Sequence, residues 1–352
     1  VGRRARVEHL LPSPSVIVAP GATARWPAVR PGLDPCAALQ ITVELAPHEG
    51  REIIFLLGEA ASREEAESLI AKFVQPAQVN GAFEAVLTHW DGLLRTVEVR
   101  TPDLAMDTML NRWLLYQTLA CRIWARSAFY QSGGAFGFRD QLQDVMALVY
   151  SSPAIAREQI LLAASHQFKE GDVQHWWHPP TGRGVRTRFS DDLLWLPFVA
   201  TFYANITGDF SVFDEVVSFL EQPLLKPEEH EIYMQPQVST ESASIFEHCI
   251  RALDRSLAVG EHGLPLMGGG DWNDGMNRVG QQGKGESVWV GWFLYTTLAQ
   301  FAPLCDLRNE QPRGDRYRDH LEKLKQALAE KGWDGDWYRR AYFDDGTPLG
   351  SA

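Results

Sequence analysis

The stretch Leu266-Met267-Gly268-Gly269-Gly270-Asp271-Trp272-Asn273-Asp274-Gly275-Met276-Asn277 lies between two helical patterns, and that setting decides the fold class. Before it, Phe246, Ile250, Leu253 and Leu257 recur at helical spacing; after it, Val288 to Leu304 is an apolar run interrupted by Thr296, Thr297, Gln300 and Pro303. Three consecutive glycines give up backbone entropy that a plain connector has no need to lose, and they run straight into two carboxylates, an indole and an amide. An acid, Asp271 or Asp274, beside the flat ring of Trp272 suits carbohydrate chemistry: a proton donor for a glycosidic oxygen and an apolar face for a sugar. A solvated turn is the plainer alternative for a Gly/Asp/Asn cluster. A calcium loop fails on spacing, with its glycine one place early and Gln282 where a bidentate Glu should stand.

Working outward, the helical period extends over most of the chain. Met106, Met109, Trp113, Tyr116 and Ala120 alternate at three and four, as do Tyr317, Leu321, Leu324 and Leu328. About seven or eight helices are expected from residue 103 on. Ser62-Arg63-Glu64-Glu65 opens a helix with a capping residue and an acidic first turn, so residues 61–100 read as a helical linker. Residues 1–60 read instead as the end of an antiparallel β-sandwich: Leu39, Ile41, Val43 and Leu45 alternate with polar residues, and His48-Glu49-Gly50 separates them from Ile53-Ile54-Phe55-Leu56 in the manner of a hairpin. Long helices joined by Gly-, Trp- and Arg-rich loops over 101–352 suggest a helical barrel whose loops build a cleft.

Composition narrows the function. At 352 residues and 45% hydrophobic, the chain can bury a large core, and its net charge of -12 with no polybasic run argues against nucleic acid. Cys36, Cys121, Cys249 and Cys305 are far apart, which suggests neither zinc nor a disulfide framework and fits a reducing compartment. The Val288–Leu304 run reads as a buried helix and not a membrane span. No signal peptide opens the chain, which begins Val-Gly-Arg-Arg, and both ends read as cut from something longer.

Two further loops are candidates for the cleft. Tyr130 to Asp140 leads into a helix carrying Gln143 and Asp144, which places Arg139 and Asp140 near a helix N-terminus, where an anion is welcome. An Arg-Asp pair tying the loop to the first turn is the alternative. The second loop holds His175-Trp176-Trp177-His178-Pro179-Pro180, followed by Arg183, Arg186 and Arg188. The double Pro disfavours a metal-binding helix, so a Trp/His/Arg wall for a polyhydroxylated ligand, with His175, Trp176, Trp177 and Arg188 in it, is the better reading and no metal is expected. Ser190-Asp191-Asp192 reads as the cap of the next helix, both acids serving its dipole.

Taken together, the loops at 130–144, 169–192 and 268–292 resemble glycoside hydrolase family 94, which includes cellobiose and chitobiose phosphorylases and the phosphorylase-like domain of cyclic β-1,2-glucan synthases. The stretch 168–188 looks most like the last of these. The resemblance covers essentially the whole chain and implies a β-sandwich, a helical linker and an (α/α)6 barrel with the active site at its mouth. Of the twelve helices such a barrel needs, only part is expected here. By resemblance Asp274 is the general acid, Trp272 lines the sugar subsite beside the cleaved bond, Asp140 holds hydroxyls of that sugar and Arg139 contacts phosphate. Disaccharide phosphorylases carry an arginine six residues before Asp140, where this chain has Gly134, a difference that favours a longer β-glucan.

The implied reaction is inverting phosphorolysis of a β-1,2-glucan, or its reverse, giving α-glucose 1-phosphate with inorganic phosphate as co-substrate and no cofactor. An inverting hydrolase needs a second carboxylate to activate water, with Asp140, Asp144 and Asp192 the ones to inspect; a phosphorylase needs only the acid. Asp274 must then be protonated near neutral pH, which partial burial against Trp272 and the charge of Asp271 would favour. A non-catalytic glucan-binding segment is the other alternative. The partners expected are a β-glucan oligosaccharide, phosphate and further domains of a longer chain, on the cytoplasmic side of an inner-membrane-associated parent. The segment alone is expected to be inactive and to associate through apolar faces such as Trp289, Trp292 and Phe293.

Overall fold

Ser62 caps the first helix as its sequence predicts: its Oγ accepts from the Glu65 amide at 3.2 Å, while the Glu65 carboxylate reaches back to the Ala61 amide at 2.8 Å. The structure is a computed structural model that describes residues 22–25, 38–125 and 134–350. It divides into two units, Val1–Trp90 and Asp91–Ala352.

In the first unit, β1 (Ala22–Arg25) and β2 (Ala38–Ile41) pair antiparallel with Ala22 opposite Ile41, and α1 (Arg63–Lys72) is followed by α2, the helix Pro76–Leu94 that runs on past the unit's last residue. The expected strand over 39–45 stops at Ile41, and the expected partner at 53–56 is not a strand. Alternation calls for a half-buried face, yet Leu45, Ile53, Phe55 and Leu57 are exposed, so the pattern has nothing to bury against among the described residues. A turn does sit at His48, which adopts φ 65. The rest of the strand expectation for 1–21 and 26–37, like Tyr130–Gly133 of the loop that leads to Asp140, lies outside the described residues.

The second unit is mostly helical: seven α-helical runs begin in it among the described residues, besides short 3-10 turns such as Phe210–Asp214. The first is irregular: α3 (Leu104–Thr108) and α4 (Leu114–Gln117) alternate with wider turns at Met109–Trp113 and Thr118–Trp124. The even stripe from Met106 to Ala120 predicts one continuous helix, but Asn111 (φ -77, ψ 110) and Arg112 (φ 70, ψ -46) leave helical space. The cause is local: the Asn111 side chain bridges both backbone groups of Val99, at 2.8 and 2.9 Å, and Arg112 turns to Asp91 at 2.6 Å.

The regular helices follow. A short strand, β3 (Phe136–Gly137), runs into α5 (Phe138–Met146), and then come α6 (Pro153–Ala164), β4 (Gln174–His178), β5 (Arg183–Thr187) and α7 (Asp192–Thr207). Beyond them lie β6 (Val216–Glu221), β7 (Glu231–Met234), β8 (Gln237–Ser244), α8 (Ile245–Ser256), β9 (Glu286–Ser287), α9 (Val288–Leu307), α10 (Gln311–Ala327), β10 (Ala341–Tyr342) and β11 (Pro348–Leu349). The axis of the unit is α7, which packs against α5, α6, α8 and α9 and buries Leu194, Leu196, Val199, Ala200 and Tyr203. α8 buries the predicted Phe246, Ile250 and Leu253, and α10 buries Tyr317 and Leu324. The apolar run forms α9 and is largely interior: Phe293 meets Trp195 at 4.6 Å between ring centroids, leaving Trp292 the more exposed face. No described helix is long and apolar enough to cross a membrane. β3, β4, β5 and β7 form an antiparallel sheet that brings residues 174–187 up to the start of α5.

Candidate active site

The glycine stretch is a backbone seat. Gly268 and Gly269 lie on the chain at Arg188–Ser190, with the Gly269 amide donating to the Arg188 carbonyl at 2.9 Å and the Ser190 amide to the Gly270 carbonyl at 3.0 Å. Gly268 (φ +62) and Gly270 (φ +149) use conformations that side chains rarely adopt, and a Cβ on them would strike the Arg188 carbonyl and the Phe189 ring.

From this seat the two acids diverge. Asp271 is wholly buried: its carboxylate accepts from Ser287 Oγ at 2.7 Å, from Arg340 Nη2 at 2.6 Å and from the Asn273 amide at 3.1 Å. With both oxygens engaged below the surface it braces the loop, which corrects its expected place among the sugar-binding side chains. Asn273 then accepts from the Gly275 amide and starts a one-turn helix, Asp274–Met276, which lifts the Asp274 side chain into solvent at 59% exposure. The expected burial against Trp272 is therefore absent, and Asp271, matched by Arg340, brings no uncompensated charge.

Arg139, the second residue of α5, is the buried centre of the cluster. Nη1 donates to Asp191 at 3.1 Å and to the Asp271 carbonyl at 3.0 Å, and Nη2 pairs with Asp274 Oδ1. Burial opposes the guanidinium's charge, but Asp191, Asp192 and Asp274 outweigh it and hold its pKa above the usual arginine value. The planar fork expected to face phosphate is thus largely occupied by protein groups. Asp191 also accepts from Trp195 Nε1 at 3.0 Å, and burial together with Asp192 pushes its carboxyl up to about 7 against the pull of Arg139.

His175 enters from β4. Its ring stacks on Phe189 at 4.4 Å, Nδ1 meets Asp192 Oδ2 at 2.8 Å, and Nε2 lies 4.0 Å from Asp274 Oδ2. Burial alone would lower its pKa, but Asp192 outweighs burial and the ring is raised. Trp272, half exposed, is steadied by Nε1 donating to Gln143 on α5 at 3.0 Å.

Arg139, Asp274, Trp272 and His175 thus come together. Asp140 sits beside Arg139 on α5, 3.9 Å from Arg122, which also holds Asp144 at 2.9 Å. Three members of the expected wall are elsewhere. Trp177 is core, stacked on His166 at 3.7 Å; Trp176 packs on Tyr233 at 5.5 Å; and Arg188 donates to the carbonyls of Lys226 and Glu229. The register of β4 shifts between Gln174 and Trp176, so His175 does not share the face that strict alternation would give it with Trp177, and Trp176 faces opposite to Trp177. Asp191 and Asp192 do stand at the start of α7, as expected, but their side chains have another task. Neither side chain caps α7; they hold Arg139 and His175. Two successive acids exceed what one cap requires, and that surplus was the available signal. Among the described residues no group of three or more His, Cys, Asp or Glu is placed to hold a metal.

Comparison with known proteins gives the family of the chain. The family described as "Glycosyl hydrolase 94 superfamily, catalytic domain" matches residues 89–352, and "Glycosyl hydrolase 94, supersandwich domain" matches 18–76. The chain is 48% identical over 320 residues to a cyclic beta-(1,2)-glucan synthase of Rhizobium meliloti, covering 91% of this chain and 11% of the relative. It is 30% identical to a solabiose phosphorylase of Paenibacillus borealis (90% and 38%) and 29% identical to an N,N'-diacetylchitobiose phosphorylase of Vibrio furnissii (90% and 40%). The chain therefore spans well under half the length of each of these relatives. The glycine seat, the exposed acid and its buried arginine fall within the stretch matched by the catalytic-domain description, and the chain belongs to the glycosyl hydrolase 94 superfamily.

Proposed function

We propose that this chain carries part of the active site for inverting phosphorolysis of β-1,2-glucan, or the reverse synthesis, with α-glucose 1-phosphate as the sugar phosphate, on the mouth of an (α/α)6 barrel. Asp274 protonates the glycosidic oxygen as it leaves, Trp272 offers a flat face to the sugar, and phosphate attacks the anomeric carbon from the opposite side, so that β becomes α. The linkage is taken from the glucan synthase relative. The observation that carries the reading is exposure: Asp274, though paired with Arg139, is 59% exposed, whereas Asp191 is engaged by Arg139, Asp192 by His175 and Asp144 by Arg122 at 19% exposure or less, and Asp140, 3.9 Å from Arg122, is 31% exposed. A hydrolase would need one of these to activate water.

Phosphate enters by competing with Asp274 for Arg139 Nη2, since that contact reaches solvent and the Asp191 contact does not. Inorganic phosphate is the co-substrate and no cofactor takes part. The segment works within a longer, membrane-associated chain on the cytoplasmic side and is inactive alone. The test uses the full-length protein that carries this chain, incubated with β-1,2-glucan with and without phosphate. Glucose 1-phosphate should appear only with phosphate, and Asp274→Asn should lower its rate by about 100 to 10,000-fold without shifting the melting temperature. Sugar release independent of phosphate would favour the hydrolase; binding with no release would favour a glucan-binding segment.

A further inference from the structure

His175 is set with more care than a wall residue needs. Phe189 fixes its ring plane (4.4 Å between centroids, 6° between planes), and Asp192, itself buried, fixes which nitrogen faces inward. The other nitrogen, Nε2, points at the acid: it lies 4.0 Å from Asp274 Oδ2, while Asp274 Oδ1 is held by Arg139. A shift of about 1 Å would bring Nε2 and Oδ2 within hydrogen-bond reach. The charged groups facing the ring are Asp192 on α7, Arg139 on α5 and Asp274 on its one-turn helix, and the attraction of Asp192 prevails.

We propose that His175, oriented by Asp192, is a positioning residue that returns the proton to the general acid Asp274 after each turnover. The idea rests on the phosphorolysis reading above. In the forward direction Asp274 gives its proton to the glycosidic oxygen as the C1–O bond breaks, and a phosphate oxygen supplies the electron pair of the new C1–O bond. The Nε2–H bond of the imidazolium then breaks, its proton joins Asp274 Oδ2, and the lone pair stays on Nε2 while Nδ1–H remains on Asp192. The neutral ring is recharged by the proton that the newly formed hydrogen sugar phosphate sheds, directly or through water. No oxidant or further reactant is required.

A plain β4-to-α7 tie would use the same hydrogen bond, so the test must read proton transfer. In the full-length protein, His175→Ala should lower kcat at least about tenfold while the KM values for glucan and phosphate stay within about twofold, and added imidazole should restore kcat in proportion to its protonated fraction. A folded His175→Ala protein that imidazole does not restore overturns the proposal. Asp192→Asn keeps an acceptor for Nδ1–H but removes its charge, and should move the basic limb of the kcat profile to lower pH; an unmoved limb also overturns it. If His175→Ala fails to fold, the Asp192→Asn profile and the ring titration decide. That titration, followed by NMR of the full-length protein with isotope-labelled histidine, needs no turnover: His175 should titrate lower in both Asp192→Asn and Asp274→Asn. A ring indifferent to Asp274→Asn strikes this proposal, whereas a wild-type protein without phosphate-dependent release strikes the phosphorolysis reading, and the two results are separable.

Discussion

Asp271 and Asp274 stand three residues apart and do opposite work, because one is spent on Arg340 and Ser287 and the other on the solvent-facing end of Arg139. A carboxylate whose two oxygens are filled below the surface holds a loop; one that shares a single contact at the surface can meet a ligand. Arg139 links the two, since it also takes the carbonyl of Asp271. Its geometry is a fork on three acceptors, which a lysine, as a point charge, does not reproduce. Arg139→Lys should therefore weaken phosphate more than glucan in separate calorimetric titrations of the full-length protein. An equal loss for both ligands would mean that Arg139 only ties α5 to the glycine loop.

At the scale of elements, the site depends on how closely the glycine seat approaches Arg188–Ser190. Gly268→Ala places a Cβ against the Arg188 carbonyl in a backbone conformation that alanine avoids, at a cost of about 1–3 kcal/mol. The variant should melt lower and turn over at least about tenfold more slowly, since Asp274 follows the seat; unchanged turnover would show that the loop is not what places the acid. Much of this was legible in the sequence. The three glycines and the Asp-Trp-Asn-Asp that follows carry the site loop, and the helical stripes on α8 and α10 mark their buried faces. What was not legible comes from pairing at a distance. Nothing near Trp177 in the chain shows that it stacks on His166, nor that Asn111 would clasp Val99 and interrupt the helix around it. Asp191 and Asp192 looked like caps because a cap is a local matter, whereas Arg139 is 52 residues from Asp191.

At the scale of the whole second unit, one buried and one half-buried histidine predict how stability responds to acid. His248 stacks on Phe219 at 4.0 Å and accepts no charged partner, and burial lowers it to about 4; His166, stacked on Trp177, is lowered to about 4 for the same reason. The unfolded value lies near 6.5, so the folded chain binds fewer protons between the two values. Their stabilisation is complete above pH 6.5 and is lost as pH falls through about 4, on the order of 3 kcal/mol for the fully buried His248. The Asp191 carboxyl, raised to about 7, works in the other sense, its contribution declining as pH rises from near 4 to 7. The comparison that isolates the histidine is therefore between wild type and His248→Gln: melting temperature should fall less steeply between pH 6.5 and 4 in the variant, and parallel curves would refute the assignment.

The single exposed acid, Asp274, suffices under the proposed reaction because phosphate and not water attacks the anomeric carbon. Proton NMR of the first sugar product released from β-1,2-glucan by the full-length protein in phosphate buffer tests it most directly. The phosphate-coupled anomeric signal of α-glucose 1-phosphate should be present from the earliest time points, whereas free glucose, or the β-phosphate, as the first product would overturn phosphorolysis with inversion.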